Sequence, residues 1–169
     1  MNPGGIVCDT GPVLHLHEAG ALTLLRWTGL VHIPPAVDLE LRRLISQWTE
    51  ERPAWIQVIG LEHGFFEQAT QWQKAGFLHT GESEALALAL QLQARWMLTD
   101  DTSARVLAKS LGVEAHGSLG VVLWAASHHH ITQQQSVNHL EALFRSSLWV
   151  SASVRQEARE TLKRIHVTS

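Results

Sequence analysis

Four groups of acidic side chains recur along the chain, each beside an apolar segment: Asp9, Asp38 with Glu40, Glu82 with Glu84, and Asp100 with Asp101. Asp9 follows Ile6-Val7-Cys8 and Asp100 follows Trp96-Met97-Leu98-Thr99, both short runs that read as buried strands. Carboxylates gathered at one edge of a sheet repel one another unless a cation sits between them. Oxygen donors of this kind suit hard ions such as Mg2+ or Mn2+, which keep several waters and bind substrate phosphates. The chemistry expected is therefore metal-assisted reaction at a phosphate. Each acid also has a plainer reading. Asp9 and Asp101 stand where a helix N-cap belongs. Glu82 and Glu84 fall in a first helical turn, where the macrodipole favours negative charge. Asp38 and Glu40 flank an apolar helix face and could be solvated. Glu84 argues for more, because it abuts the unbroken apolar run from Ala85 to Leu90. A charge beside such a segment is costly to bury unless it is paired or binds metal.

Other side chains narrow the choice. The chain holds 11 His, but His15 and His17 are two apart on an expected helix and do not share a face. No His or Cys spacing matches a zinc framework. Cys8 is the single cysteine, so no intrachain disulfide can form. A net charge of −3 argues against a protein that coats nucleic acid non-specifically, though an acidic centre with a local basic rim stays compatible with a nuclease. No apolar run approaches the roughly 20 residues of a membrane span. The opening Met1-Asn2-Pro3-Gly4-Gly5 has neither a basic nor an apolar region of a secretion signal. No membrane association and a cytoplasmic location are expected. The seven Trp, with no Tyr, are spread along the chain and read as core and interface.

The elements that must position these acids alternate in type. Strands are expected at 6–8, 31–33, 56–59, 96–99 and 113–115. Helices are expected from Pro12, after the turn Thr10-Gly11-Pro12, over 21–27, from Pro35, over 65–72, from Thr80, over 103–111, over 119–126, over 137–144 and over 154–165. Val37, Leu41, Leu44, Ile45 and Trp48 recur at helical spacing. The helix from Thr80 is apolar all round and should be central. Such alternation implies an α/β fold with a mostly parallel central sheet of four to five strands, whose ligands bind outside the carboxyl ends of the strands. At 169 residues one domain over 1–169 is expected, with the C-terminal helices, about 132–166, packing on or extending it.

The order of motifs resembles a PIN domain, specifically the prokaryotic DUF3368 group related to the VapC toxin ribonucleases. The resemblance is carried by Val7-Cys8-Asp9-Thr10-Gly11-Pro12-Val13-Leu14, by Ile33-Pro34-Pro35-Ala36-Val37 with Glu40-Leu41, by Gly81-Glu82-Ser83-Glu84-Ala85-Leu86-Ala87-Leu88-Ala89, and by Leu98-Thr99-Asp100-Asp101 with Ala104-Arg105. Leu111-Gly112-Val113 and Gly117-Ser118-Leu119-Gly120 extend it, so that it covers about residues 6 to 126. It implies a three-layer α/β/α fold and a metal-dependent endoribonuclease. The family pattern selects Glu40 over Asp38 and gives Asp9, Glu40, Glu84 and Asp101 as the catalytic acids. Asp9 and Asp101, with Glu84 and Asp100, would hold Mg2+ or Mn2+; Thr10, Thr99 and Glu82 would support them. Two departures stand out. Gly11 occupies a position where the group usually carries Ser, which removes a hydroxyl near the metal. The third acid is Glu, where the VapC toxins usually have Asp.

RNA is the implied substrate. Arg155, Arg159 and Lys163 form one stripe on the last helix and are candidates for phosphate contact, as are Arg42, Arg43 and Arg105. The resemblance also implies a small antitoxin partner and a homodimer, for which the apolar surroundings of Trp27 or Trp48 are candidates. The alternative is a catalytically weak or inactive PIN scaffold acting through protein or RNA binding. A phosphatase or receiver-like domain fits worse, since a haloacid-dehalogenase-type phosphatase needs a second Asp where Gly11 stands.

Overall fold

The computed structural model describes residues 4–167; Met1 to Pro3, part of the opening segment read above for a secretion signal, and the last two residues lie outside it. Five short strands form one all-parallel sheet: β1 (Ile6–Cys8), β2 (Val31–Ile33), β3 (Ile56–Val58), β4 (Trp96–Leu98) and β5 (Ala115–His116), in the order β3-β2-β1-β4-β5. β1 and β4 are apolar and buried throughout, as a central parallel strand covered on both faces must be. The order runs outward from β1 to β3 and then restarts on the other side with β4. The switch point therefore lies between β1 and β4, where Cys8 pairs with Leu98. In open α/β sheets a crevice forms outside the strand ends at such a point.

β5 begins two residues later than the sequence pattern suggests. Gly112 (φ 76°) ends the preceding helix in a left-handed turn, and Val113 N–H returns to the Ala108 carbonyl. Val113 and Glu114 are then spent in reaching the sheet.

Helices flank the sheet in a three-layer α/β/α arrangement: α1 (Thr10–Glu18), α2 (Pro35–Leu44), α3 (Trp48–Glu51), α4 (His63–Lys74), α5 (Thr80–Gln91), α6 (Thr102–Ser110), α7 (Ser118–Ser127), α8 (Gln133–Arg145) and α9 (Ala152–Val167). Leu22–Thr28 is a 3-10 helix. α5 is the central helix that its apolar sequence predicts. Ser83 through Ala89 are all buried, and the helix packs on α2, α4, α6, β1 and β4. α8 packs on α7 and α1, and α9 on α7 and α8, so Leu140, Leu143, Phe144, Ala158 and Leu162 join the same core.

The apolar repeat that begins at Val37 is divided. Val37 and Leu41 are buried on α2, but the helix stops at Leu44, which is exposed. Ile45 is extended and Gln47 is left-handed (φ 62°), which re-aims the chain so that Trp48 starts α3 facing inward. Trp48 is buried and donates its Nε1–H to Asp38 at 2.9 Å, so it offers no surface for pairing two copies. Asp38 is buried rather than solvated. It also accepts Arg42 Nε at 2.9 Å and an Arg52 guanidinium nitrogen at 3.0 Å, which commits Arg42 to the fold. Of the Trp residues, Trp27 and Trp149 are exposed and Trp48, Trp72 and Trp96 are buried. No helix among the described residues is long and apolar enough to cross a membrane.

Asp38 thus staples α2 to α3 and satisfies three donors. Asp38→Ala strands the indole N–H and leaves two guanidinium groups unpaired. Because Arg42 is half exposed, the expected loss is about 1–3 kcal/mol, read from urea unfolding, in place of the larger cost of a fully buried pair.

Candidate active site

The site begins with two strand ends. Asp9 ends β1 and caps α1, and Asp101 follows β4 and caps α6, accepting Ala104 N–H at 2.7 Å. Asp9 is buried; its Oδ1 accepts Thr10 N–H at 2.6 Å. Thr99 is fully buried and joins the two ends: its hydroxyl donates to Asp9 Oδ2 at 3.0 Å and accepts Asp101 N–H at 3.2 Å. The β1–β4 register makes this link, since Asp9 N–H bonds the Leu98 carbonyl at 2.9 Å and so lies beside Thr99.

Two further carboxylates come from helices. Glu40, on α2, accepts the Thr10 hydroxyl in a short hydrogen bond. Its carboxylate presses against α5 at Gly81, where a Cβ would lie 2.8 Å from both oxygens; the glycine is what leaves it room. Glu82, in the first turn of α5, accepts His79 N–H at 2.8 Å. Asp9, Glu40, Glu82, Asp100 and Asp101 line one cleft of about 420 Å3, together with Thr10 and Trp149.

The carboxylates raise one another's proton affinity. Burial pushes the Asp9 carboxyl from 3.8 up to about 7; the charges of Glu82 and Glu40 push the same way, and the hydrogen bonds from Thr10 and Thr99 only partly offset them. Glu82 is pushed up by burial and by the charges of Asp101 and Glu40, against the pull of His79 N–H. Among the described residues no ion pair neutralises Asp9, Glu40, Glu82 or Asp101.

Asp100 and Glu84 differ from this group. Asp100 accepts His15 Nδ1 at 2.7 Å, Ser118 N–H at 2.7 Å and the Ser118 hydroxyl at 2.5 Å. Burial disfavours its charge, but these bonds outweigh burial and hold its carboxyl below the ordinary value. It touches the cleft while tying α1 and α7 to β4. Glu84 is buried and accepts Ala36 N–H at 3.2 Å, satisfying a free donor at the start of α2. Burial raises its carboxyl, and Glu40 adds to this. It is not brought to the cleft lining.

The basic candidates scatter. Arg159 grips Glu141 with two bonds of 2.7 and 2.9 Å. Arg155 bonds the Val150 carbonyl, and both guanidinium groups lie over Phe144. Lys163 borders a small groove between α8 and α9. Arg43 is exposed on α2. Arg105 lines a second cleft that adjoins the acidic one. Sequence reasoning gave no place at the site to Ser118 or Trp149, and weighed His15 only as a histidine metal ligand beside His17. Ser118 stands in a quoted motif, but nothing in the pattern linked any of the three to Asp100 or to a cleft.

The donor set is all oxygen, which fits a hard divalent ion and not a soft one. Among the described residues no three His, Cys, Asp or Glu side chains are arranged to hold an ion; the carboxylates are turned onto Thr10, Thr99, His79 and Ala104. A family model described as a PIN domain, DUF3368, matches residues 5–164. No curated protein matches the chain.

The Asp9 shift has a definite sign for stability. Its native value, about 7, lies above its unfolded value near 3.8, so the native state binds more protons between them. That contribution is complete below pH 4 and is lost as pH rises through 7. Asp9→Asn removes the charge; its amide oxygen keeps an acceptor for Thr10 N–H, and its NH2 can meet the Thr99 hydroxyl only as a donor. The variant should be more stable than the parent at pH 8 by roughly 2–4 kcal/mol and by far less at pH 4, measured by urea unfolding. A difference that does not vary with pH would contradict this.

Proposed function

This chain belongs to the PIN-domain family, and on that premise we propose that it is a divalent-metal-dependent endoribonuclease acting in the cytoplasm. PIN domains are in general nucleases that use divalent metals. What carries the reading is Asp9: a buried carboxylate, pressed by Glu82 and Glu40, at the sheet's switch point, with no cation partner among the described residues. Such a group is stable as an anion only beside a cation.

Asp9 and Asp101 would hold the Mg2+ or Mn2+. Such an ion, when bound, screens charge on the scissile phosphate and makes water a stronger nucleophile. Thr99 ties the Asp9 carboxylate to the Asp101 backbone through its single hydroxyl. Glu40 is positioned by Thr10 and by the space at Gly81, and it orients water on the side facing α2. Glu82 Oε atoms line the cleft with raised proton affinity, which suits this carboxylate to take a proton from the attacking water. In this scheme Glu82 is the third working acid. Glu84 has the structural task of capping α2, and Asp100 that of holding His15 and Ser118.

An antitoxin would act within this reading by covering the cleft. A second copy would find exposed apolar surface at Trp27, Leu39 and Leu44. The alternative, a weak or inactive scaffold, rests on Gly11. A Cβ there would lie 3.5 Å from Asp100 and His15, ordinary contact, so Ser fits. If the missing hydroxyl limits the enzyme, Gly11→Ser increases cleavage; an unchanged rate removes that argument.

The expected result is cleavage of single-stranded RNA with Mn2+ that stops in EDTA and in Asp9→Asn. Activity surviving both would sink the mechanism. Glu82→Gln should slow cleavage roughly 100-fold. Thr99→Val should slow it about 10–100-fold as a loss of carboxylate positioning. Glu84→Gln keeps an acceptor for Ala36 N–H and should leave the rate little changed. The reverse ranking of the two Glu variants would return the catalytic role to Glu84.

A further inference from the structure

The segment between α8 and α9 presents a feature the fold does not need. Leu148 packs against the core and Val150 is buried, yet Trp149 between them is 84% exposed. An indole is among the largest apolar groups a chain can bury, so one left in solvent forgoes the stabilisation that burial would bring. Its backbone is pinned. Ser147 donates both its N–H and its hydroxyl to Glu18 of α1 at 2.8 Å. Leu148 N–H meets the Ser146 hydroxyl at 3.2 Å, and Arg155 Nε holds the Val150 carbonyl at 3.2 Å. A ring on a fixed backbone loses little further freedom when something stacks on it.

Two clefts meet at this ring. One is the acidic cleft. The other, about 470 Å3, is lined by Arg105, His116 and Ser151 among others. Asp100, Thr102, Leu148 and Trp149 wall both. The second cleft thus combines an aromatic face, a guanidinium and hydroxyl groups beside the carboxylates. An unpaired nucleotide carries the complementary set: a flat base, an anionic phosphate and polar sugar oxygens. In a duplex the base faces are already stacked and unavailable to the ring.

We propose that Trp149 and Arg105 form a subsite for one unpaired RNA nucleotide next to the scissile phosphate, with the base stacked on the indole and its phosphate paired to the guanidinium. The subsite makes the enzyme selective for single-stranded RNA. It rests on the nuclease reading above. Stacking on an aromatic side chain tolerates any base, so the selection is for strandedness more than for sequence.

The test compares the parent with Trp149→Ala, Trp149→Phe and Arg105→Gln. A labelled single-stranded oligonucleotide and a duplex of the same sequence are bound in EDTA and cleaved in Mn2+. For the single strand, Trp149→Ala should raise Kd and KM roughly tenfold with kcat little changed, and Trp149→Phe should recover most of the loss. Weak binding of the duplex should not change. Arg105→Gln should lower the slope of log affinity against log salt by about one. If the parent cleaves RNA and Trp149→Ala leaves KM and Kd unmoved, the subsite is overturned and the nuclease reading stands. If the parent neither binds nor cleaves any RNA, the nuclease reading falls and the subsite with it. If Trp149→Ala spares RNA but releases a co-purifying protein, the ring is a protein contact and the subsite is overturned.

Discussion

The hydroxyl of Thr99 stands between a buried carboxylate and the end of the neighbouring strand. It donates to Asp9 and accepts from the backbone of Asp101, so one side chain fixes the ends of two neighbouring strands. A carboxylate buried at the edge of a sheet needs such a restraint, because burial weakens the screening that water would provide. The restraint works only in the observed register. Cys8 opposite Leu98 places Asp9 beside Thr99, and a slip of one residue would turn the pleat and send Asp9 to the other face. The uninterrupted apolar strands β1 and β4 hold that register from both sides.

The surrounding helices divide the remaining acids between site and scaffold. Glu82 and Glu84 are two residues apart on α5, so their side chains leave the helix about 200° apart. Of the two, only Glu82 lines the cleft. Glu82 faces the crevice above the strands, and Glu84 faces α2, where it satisfies Ala36 N–H. Asp100 and Asp101 both line the cleft and differ in the elements they hold. Asp100 binds α1 and α7 to β4 through His15 and Ser118, and Asp101 caps α6. The negative field of the site therefore comes from side chains that also hold helices in place. The backbone around them needs the empty space at Gly81, without which the Glu40 carboxylate could not sit against α5.

The C-terminal helices add to this scaffold in an indirect way. α8 and α9 pack on α7 and bring the segment between them back to Glu18 of α1, and Leu148 and Trp149 of that segment wall the cleft. The basic stripe on α9 is taken up in that packing: Arg159 goes to Glu141, and Arg155 to Phe144 and the Val150 carbonyl. Positive charge near the acids is left to Arg105, on α6, and the aromatic surface to Trp149.

Much of this architecture was legible before any coordinates. Apolar runs of three or four residues ended by Asp marked β1 and β4, alternation with helices implied the parallel sheet, and the unbroken apolar stretch after Glu84 marked α5 as central. These signals are local, and a parallel sheet repeats them in order, so the strand ends and their acids followed. The bounds of β5 and the exposure of Leu44 did not follow, because each depends on one residue in a left-handed turn, Gly112 and Gln47. Which of Asp38 and Glu40, and which of Glu82 and Glu84, reaches the cleft was likewise decided by tertiary structure. Helical phase alone separates Glu82 from Glu84, but the neighbouring elements determine which phase faces the cleft. The pairing of Asp38 with Trp48 and Arg52, of Asp100 with His15 and Ser118, and the placing of Trp149 between two clefts join residues far apart in the chain. Sequence fixes residue types and periods, and only the packed fold decides which distant side chains share a low-dielectric space.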